Sequence, residues 1–161
     1  MKLELLEAKE KDKNVIYNLM QLYTYELSFF EDNTTNFELL ENGLFKINKY
    51  IDLYWKEEER HPYILKCDGK IAGFVLERFN EEGINEIAEF FVLNKYRQYG
   101  VGTFMANEMF NKYKGKWEIR TLLKNKRAQD FWRRVIKNAS NGIYEEHLIR
   151  NNTRYAFYFK N

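Results

Sequence analysis

The stretch Val92-Leu93-Asn94-Lys95-Tyr96-Arg97-Gln98-Tyr99-Gly100-Val101-Gly102 is where the reading of this chain turns. Before it, Ile87 to Leu93 is a nearly continuous apolar run, the pattern of a strand buried on both faces in the middle of a sheet. After it, Val101, Phe104, Met105 and Met109 recur at helical spacing within Thr103 to Tyr113. The order is therefore strand, glycine loop, helix. A helix N-terminus leaves about four N–H groups without intrahelical partners and carries partial positive charge, so it attracts anions. Gly100 and Gly102 lack Cβ atoms, which lets the loop curl and lets a pyrophosphate reach the amides of Gln98, Tyr99, Gly100, Val101, Gly102 and Thr103, with Arg97 adding charge from the side. The plainer alternative is a tight strand-to-helix turn. Two other phosphate patterns are excluded: the third glycine of a dinucleotide fingerprint would fall at Met105, and no Gly-Lys-Ser/Thr follows for a P-loop.

Working outward, Tyr63 to Cys67 and Ile71 to Phe79 flank Asp68-Gly69, the signature of a two-residue type I′ hairpin. Lys2 to Ala8 alternates as a first strand would, and Val15, Ile16, Leu19, Met20, Leu22, Tyr23 and Leu27 form a helical stripe. Asp32 to Asn36 is polar and turn-rich, and Leu44 to Trp55 has mixed periodicity, read as a second, less regular helical segment. Downstream, Trp117 to Leu123 reads as a strand. Asn125 then precedes a helix with Ala128, Phe131, Trp132, Val135 and Ile136 on one face. Tyr144 to Ile149 and Tyr155 to Phe159, separated by Asn151-Asn152, close the chain as an antiparallel pair. The expectation is a mixed α/β domain spanning residues 1–161, with one central sheet and helices on both faces.

Charge and composition narrow the classes. Lys and Arg total 26 against 24 Asp and Glu, so the formal charge of +2 does not mark a phosphate-coating protein, and no ribonucleoprotein motif appears. Nucleic acid is not expected as a partner. A single Cys forms no intrachain disulfide, and no apolar run is long enough to cross a bilayer, so a cytoplasmic protein without membrane association is expected. Metal-ligating residues do not cluster in the sequence, so no metal site is expected.

With Val92 five residues before Arg97, and with Asn125-x-x-Ala128-x-x-Phe131-Trp132 after the next strand, the chain resembles the GCN5-related N-acetyltransferase (GNAT) superfamily over essentially its whole length. Asp68-Gly69-Lys70-Ile71-Ala72-Gly73-Phe74 is similar to the hairpin of that superfamily, and the stretch from Val92 to Gly102 to its cofactor segment. The resemblance implies a site for acetyl-coenzyme A between two central strands that splay apart, a splay that a bulge would produce. It also implies that backbone groups of Phe91, Val92 and Leu93 pair with the pantetheine amides, and that the glycine loop takes the pyrophosphate. Asn125 is then a cofactor contact, a helix N-cap, or both. Lys95, Lys126 and Arg127 either meet the adenosine phosphate or form a solvated face. The implied activity is direct transfer of an acetyl group to a primary amine, of a small molecule or a peptide, by a monomer or homodimer. The alternative is a coenzyme-binding module with weak catalysis.

Direct transfer needs a base for the amine, donors for the carbonyl oxygen and a proton for the leaving thiolate. Glu89 and Glu86, on or beside the central strand, are the candidate bases. Glu89 interrupts an apolar run, which is costly unless the carboxylate is paired or faces a cavity; Glu86 is expected to be solvated. Backbone N–H groups near Val92 are the candidate oxyanion donors. Where the superfamily frequently has a tyrosine acid, this chain has Trp132, whose indole N–H cannot give up its proton near neutral pH. Trp132 falls on the apolar stripe, so core packing is its simpler role. Tyr25, Glu26, Glu31 and Asp32 lie where superfamily members often form the acceptor pocket, and acids there would suit a cationic amine; ordinary surface acids are the plainer reading. Cys67, with only His61 and His147 as possible bases, is read as a small buried side chain.

Overall fold

A computed structural model describes residues 1–31 and 37–161. Strands β1 (Leu3–Glu7), β2 (Arg60–Cys67), β3 (Lys70–Phe79), β4 (Ile84–Val92), β5 (Lys116–Leu122), β6 (Tyr144–Ile149) and β7 (Arg154–Lys160) form one sheet in the order β1-β2-β3-β4-β5-β7-β6. Every neighbouring pair is antiparallel except β4 with β5. Helices are α1 (Lys13–Leu27), α2 (Val101–Lys112) and α3 (Lys126–Ala139). The mixed α/β arrangement with a single sheet is as the sequence implies. Leu44 to Trp55 departs from expectation: only Lys49–Trp55 is helical, as a 3-10 helix, while Phe45 bridges Leu39. The polar run Asp32 to Asn36 lies outside the described residues.

Local chemistry explains the turns. Asp68 and Gly69 both have positive φ, 49° and 75°, as a type I′ hairpin requires. Asn125 Oδ1 accepts from the Ala128 N–H at 3.0 Å, capping α3. Gly100 is left-handed (φ 75°) at the position that caps α2, and Gln98 before it is left-handed too (φ 70°).

The sheet separates two apolar clusters. On one face, Ile16, Leu19 and Met20 of α1 and Ile51 and Tyr54 of the 3-10 helix cover Ile64, Phe74, Leu76 and Phe91. On the other, α2 and α3 bring Met105, Met109, Trp132 and Ile136 against Val75, Val92, Ile119 and Phe157. Cys67 is buried at the hairpin. Aromatic rings meet within this second cluster: Trp117 stacks 6.3 Å from Phe159, and Phe110 meets both edge-on.

β4 starts at Ile84, earlier than the apolar run suggests, because Asn85 and Glu86 are buried polar residues that periodicity does not flag. Its pairing with β3 is interrupted once. Leu76 faces Glu89 and Glu77 faces Ile87, so Ala88 is an extra residue, a β-bulge. Near the end of the same pairing, Gly73 lies opposite Val92, and a Cβ at Gly73 would sit 2.1 Å from the Phe91 carbonyl oxygen. No L side chain fits that approach without moving a strand. Gly73→Ala is therefore expected to cost about 3 kcal/mol, the upper end of overpacking penalties, read as a lowered urea midpoint with unchanged m-value.

Candidate active site

The parallel pairing of β4 with β5 runs only from Ile84↔Lys116 to Ile87↔Ile119. Beyond it, at the Ala88 bulge, the strands part and leave a cleft of 1480 Å³ between them. Lining residues include Phe90, Val92, Gly100, Gly102, Asn125 and Trp132. Since the side chains of a strand alternate between faces, an unbulged strand would turn Glu89 toward α2 and α3. The extra residue puts it opposite Leu76, on the α1 face, where the Tyr50 hydroxyl donates to Glu89 Oε1. The Tyr23 hydroxyl faces the same carboxylate. Burial pushes the Glu89 carboxyl up, and the two tyrosine hydroxyls oppose that shift. Tyr23 and Tyr50 are both pushed well above the ordinary phenol value, first by burial and then by the Glu89 charge.

Glu86 is not solvated as expected. It is 6% exposed, and Arg78 Nε and Asn80 Nδ2 each donate to it at 2.7 Å. Its neighbour across the parallel pairing is Glu118, and Arg120 lies between the two, 2.5 Å from Glu118 and 3.8 Å from Glu86. The four charges form a matched ladder. A carboxylate whose two oxygens are both held by donors is a poor proton acceptor, so Glu86 is structural.

The cofactor segment is also revised in part. The Leu93 N–H donates to the Ala72 carbonyl at 2.8 Å, and the Phe91 carbonyl lies against Gly73, so both residues spend their backbone groups on β3. By alternation, the N–H and C=O groups of Phe90 and Val92 point to the side from which β5 has departed. Of the three expected residues, Val92 alone turns its backbone groups to the cleft, as Phe90 does, while Phe91 lines the cleft without offering its backbone. Only strand register could have revealed that, and the bulge hides register from the sequence.

Arg97 is not a free charge. Its guanidinium grips both Glu26 carboxylate oxygens, at 2.9 and 2.5 Å, and its Nε donates to the Val92 carbonyl at 2.6 Å. The loop after it remains a cradle: Gly100 has no atom within 4 Å of a would-be Cβ, and Gly102 lies where a Cβ would meet Phe131 at 3.3 Å. Gln98, Val101 and Thr103 line the cleft, whereas the Tyr99 side chain is 69% exposed and lies outside it. The donor-rich loop and the unpaired strand edge fit a pyrophosphate followed by an amide-bearing arm. Arg127 lines the cleft; Lys126 lies over the Tyr155 ring and Lys95 over Tyr96.

The described acids at the end of α1 are paired. Glu26 is tied to Arg97, Glu31 pairs with Arg154 at 2.6 Å, and Tyr25 stacks edge-on with Phe29. Asp32 lies outside the described residues. Trp132 is 4% exposed, with its ring 4.8 Å from Phe90 and 4.9 Å from Phe131, so it is a core residue on the floor of the cleft. Among the described residues no group of three or more His, Cys, Asp or Glu could hold a metal ion, and no helix is long and apolar enough to cross a membrane.

Comparison with known proteins agrees with this geometry. Among solved structures, the chain is similar to a putative streptothricin acetyltransferase from Bacillus anthracis str. Ames in complex with acetyl coenzyme A, at 16% identity and TM-score 0.60, over 100% of this chain and 99% of that one. It is similar to the PaiA N-acetyltransferase from Thermoplasma acidophilum in complex with coenzyme A, at 10% identity and TM-score 0.65, over 100% of both chains. Arabidopsis thaliana NAA60 in complex with a bisubstrate analogue is a third, at 12% identity and TM-score 0.60, over 99% of this chain and 98% of that one. At these identities the likeness is one of fold. No curated protein matches the sequence. The model of the acetyltransferase (GNAT) family matches residues 17–136, which include Glu89, the glycine loop and Trp132, and the chain therefore belongs to the GNAT acetyltransferase family, whose acetyl donor is acetyl-coenzyme A.

Proposed function

We propose that this chain transfers the acetyl group of acetyl-coenzyme A to a primary amine by direct attack, with both substrates bound together and Glu89 as the base. The observation that carries the reading is the position of Glu89 on the α1 face, beside the bulge where β4 and β5 part. When bound, the donor supplies an activated thioester carbonyl. The amides of Gln98 to Thr103 and the N-terminus of α2 hold its pyrophosphate, while the outward groups of Phe90 and the N–H of Val92 pair with its arm and one of these N–H groups donates to the thioester oxygen. Asn125 spends Oδ1 on the cap and keeps Nδ2 for the cofactor arm.

Glu89 takes the proton of the attacking amine as the carbon–nitrogen bond forms. The same carboxyl then returns a proton to the sulfur as the carbon–sulfur bond breaks, which makes a separate tyrosine acid unnecessary. A departing thiolate is only mildly basic, by analogy with a free thiol of pKa about 8.5, so the demand on the acid is small. This accounts for Trp132 at the usual tyrosine position. The acceptor is a small-molecule or peptide amine, the setting cytoplasmic, and the unit a monomer or homodimer.

Three outcomes are expected. Gly100→Glu retains the fold, since nothing lies near its Cβ and only the left-handed backbone is strained by about 1–2 kcal/mol. It places a negative charge at the phosphate cradle, however, and calorimetry should show coenzyme A affinity reduced more than about 100-fold. Unchanged affinity would refute the phosphate-loop assignment. In a primary-amine panel followed by thiol release, Glu89→Gln should lower turnover about 10- to 100-fold and remove the acid limb of the pH profile; a retained limb would assign the base elsewhere.

The third outcome concerns stability. Glu89 in the folded protein is raised above 4.5, so between that pH and its folded value the native state binds more protons than the unfolded chain. Stability therefore falls as pH rises through that window. Glu89→Gln has no such loss, so denaturant midpoints should show the variant gaining on the parent as the pH rises above 4.5. Parallel curves would mean that Glu89 is not desolvated.

A further inference from the structure

Tyr50 stands beside the proposed base but comes from a segment that the family's glycine-loop motif does not include. The 3-10 helix Lys49–Trp55 is fixed independently of Glu89. Ile51 and Tyr54 are buried beneath it, Asn48 Oδ1 accepts from the Tyr50 N–H at 3.1 Å, and Asp52 accepts from the Tyr17 hydroxyl at 2.8 Å and pairs with Lys13 at 2.6 Å. The Tyr50 ring is thus delivered to the cleft by contacts that do not involve the carboxylate. Its hydroxyl donates to Glu89 Oε1, and Tyr23, from α1, approaches the same group.

We propose that Tyr50 is a positioning residue for proton transfer: its hydroxyl holds Oε1 of Glu89 and so fixes the orientation in which the carboxylate meets the acceptor amine. The inference rests on Glu89 being the base. An aliphatic side chain on a strand that has lost one neighbour would otherwise sample several rotamers, and a carboxylate sharing its negative charge with a phenolic donor is held in one. The surrounding charges are accounted for. Tyr23 and Glu26 face this region from α1, Tyr54 from the 3-10 helix, Arg60 from β2, Arg78 from β3 and Glu86 from β4. Glu26, Glu86 and Arg60 are already paired, with Arg97, Arg78 and Glu57 respectively. The Tyr54 hydroxyl makes no hydrogen bond to Glu89, which leaves Tyr23 and Tyr50 as the hydroxyl donors that orient it.

The test compares the parent, Tyr50→Phe, Glu89→Gln and the remote control Tyr158→Phe, whose hydroxyl serves Glu118. Tyr50→Phe keeps the ring and should fold. Isotope-labelled glutamate gives a carboxyl signal for Glu89, identified by its disappearance in Glu89→Gln. Removing the hydroxyl removes a donor to the ionised form, so the titration midpoint should move up by about one pH unit in Tyr50→Phe and not in Tyr158→Phe. With the best amine of the panel, the acid limb of kcat/KM should move up by the same amount. The rate at low pH should fall about tenfold, and KM for acetyl-coenzyme A should stay unchanged. In a Glu89→Gln background, Tyr50→Phe should add nothing. An unmoved midpoint, or an equal rate loss at every pH, overturns the positioning role while leaving Glu89 as base. An acid limb that survives Glu89→Gln overturns both.

Discussion

The bulge at Ala88 is the constraint on which the site depends. One extra residue in β4 does two things at once: it ends the ladder with β5, and it rotates Glu89 onto the face covered by α1. The first effect makes the cleft and frees a strand edge. The second supplies the cleft with a carboxylate. Neither follows from the apolar run itself, which would be content as an unbroken central strand with its full complement of hydrogen bonds. The cost is an interrupted ladder in the middle of the sheet, and the compensation is two large apolar clusters, one on each face. Gly73 belongs to the same design, because only a residue without Cβ lets β3 follow the end of β4 so closely.

Arginines dominate the electrostatics of the cleft, and most are committed to the protein. Arg78 and Arg120 neutralise Glu86 and Glu118, and Arg97 and Arg154 neutralise Glu26 and Glu31. Glu89 is the exception, held by phenols instead of by a cation. That difference is what suits Glu89 to the role of base proposed for it: a guanidinium would pin the anion and lower its pKa, while a phenol orients it and leaves the cost of burial largely in place.

Much of this was legible in the sequence because it is local. The Asp68-Gly69 turn, the stripe of α3, the Asn125 cap and the glycine loop are each set by residues within a few positions of one another. Glu89 stood out because a carboxylate within an apolar run needs a reason. What stayed hidden depends on partners distant along the chain. Glu86 looks solvated until Arg78, Asn80 and Arg120 are brought beside it, and Arg97 looks available until α1 delivers Glu26. The Phe91 and Leu93 backbone groups were misplaced by a register that one bulged residue decides. Tyr50 gave no signal at all, since its segment lacks clear periodicity and folds as a 3-10 helix pinned by tertiary contacts.

The short junction between β4 and β5 has a mechanical side. Four residue pairs, Ile84 to Ile87 against Lys116 to Ile119, are all that join a four-stranded half-sheet to a three-stranded one. Such a sheet behaves as two plates on a narrow hinge, with α2 and α3 laid across the seam as a splint, since their side chains touch Val75 and Val92 on one plate and Ile119 and Phe157 on the other. Bending at that seam changes the width of the gap while leaving each plate's own ladders intact. The width of the slot is thus set less by the sheet's own hydrogen bonds than by how α2 and α3 pack across the seam.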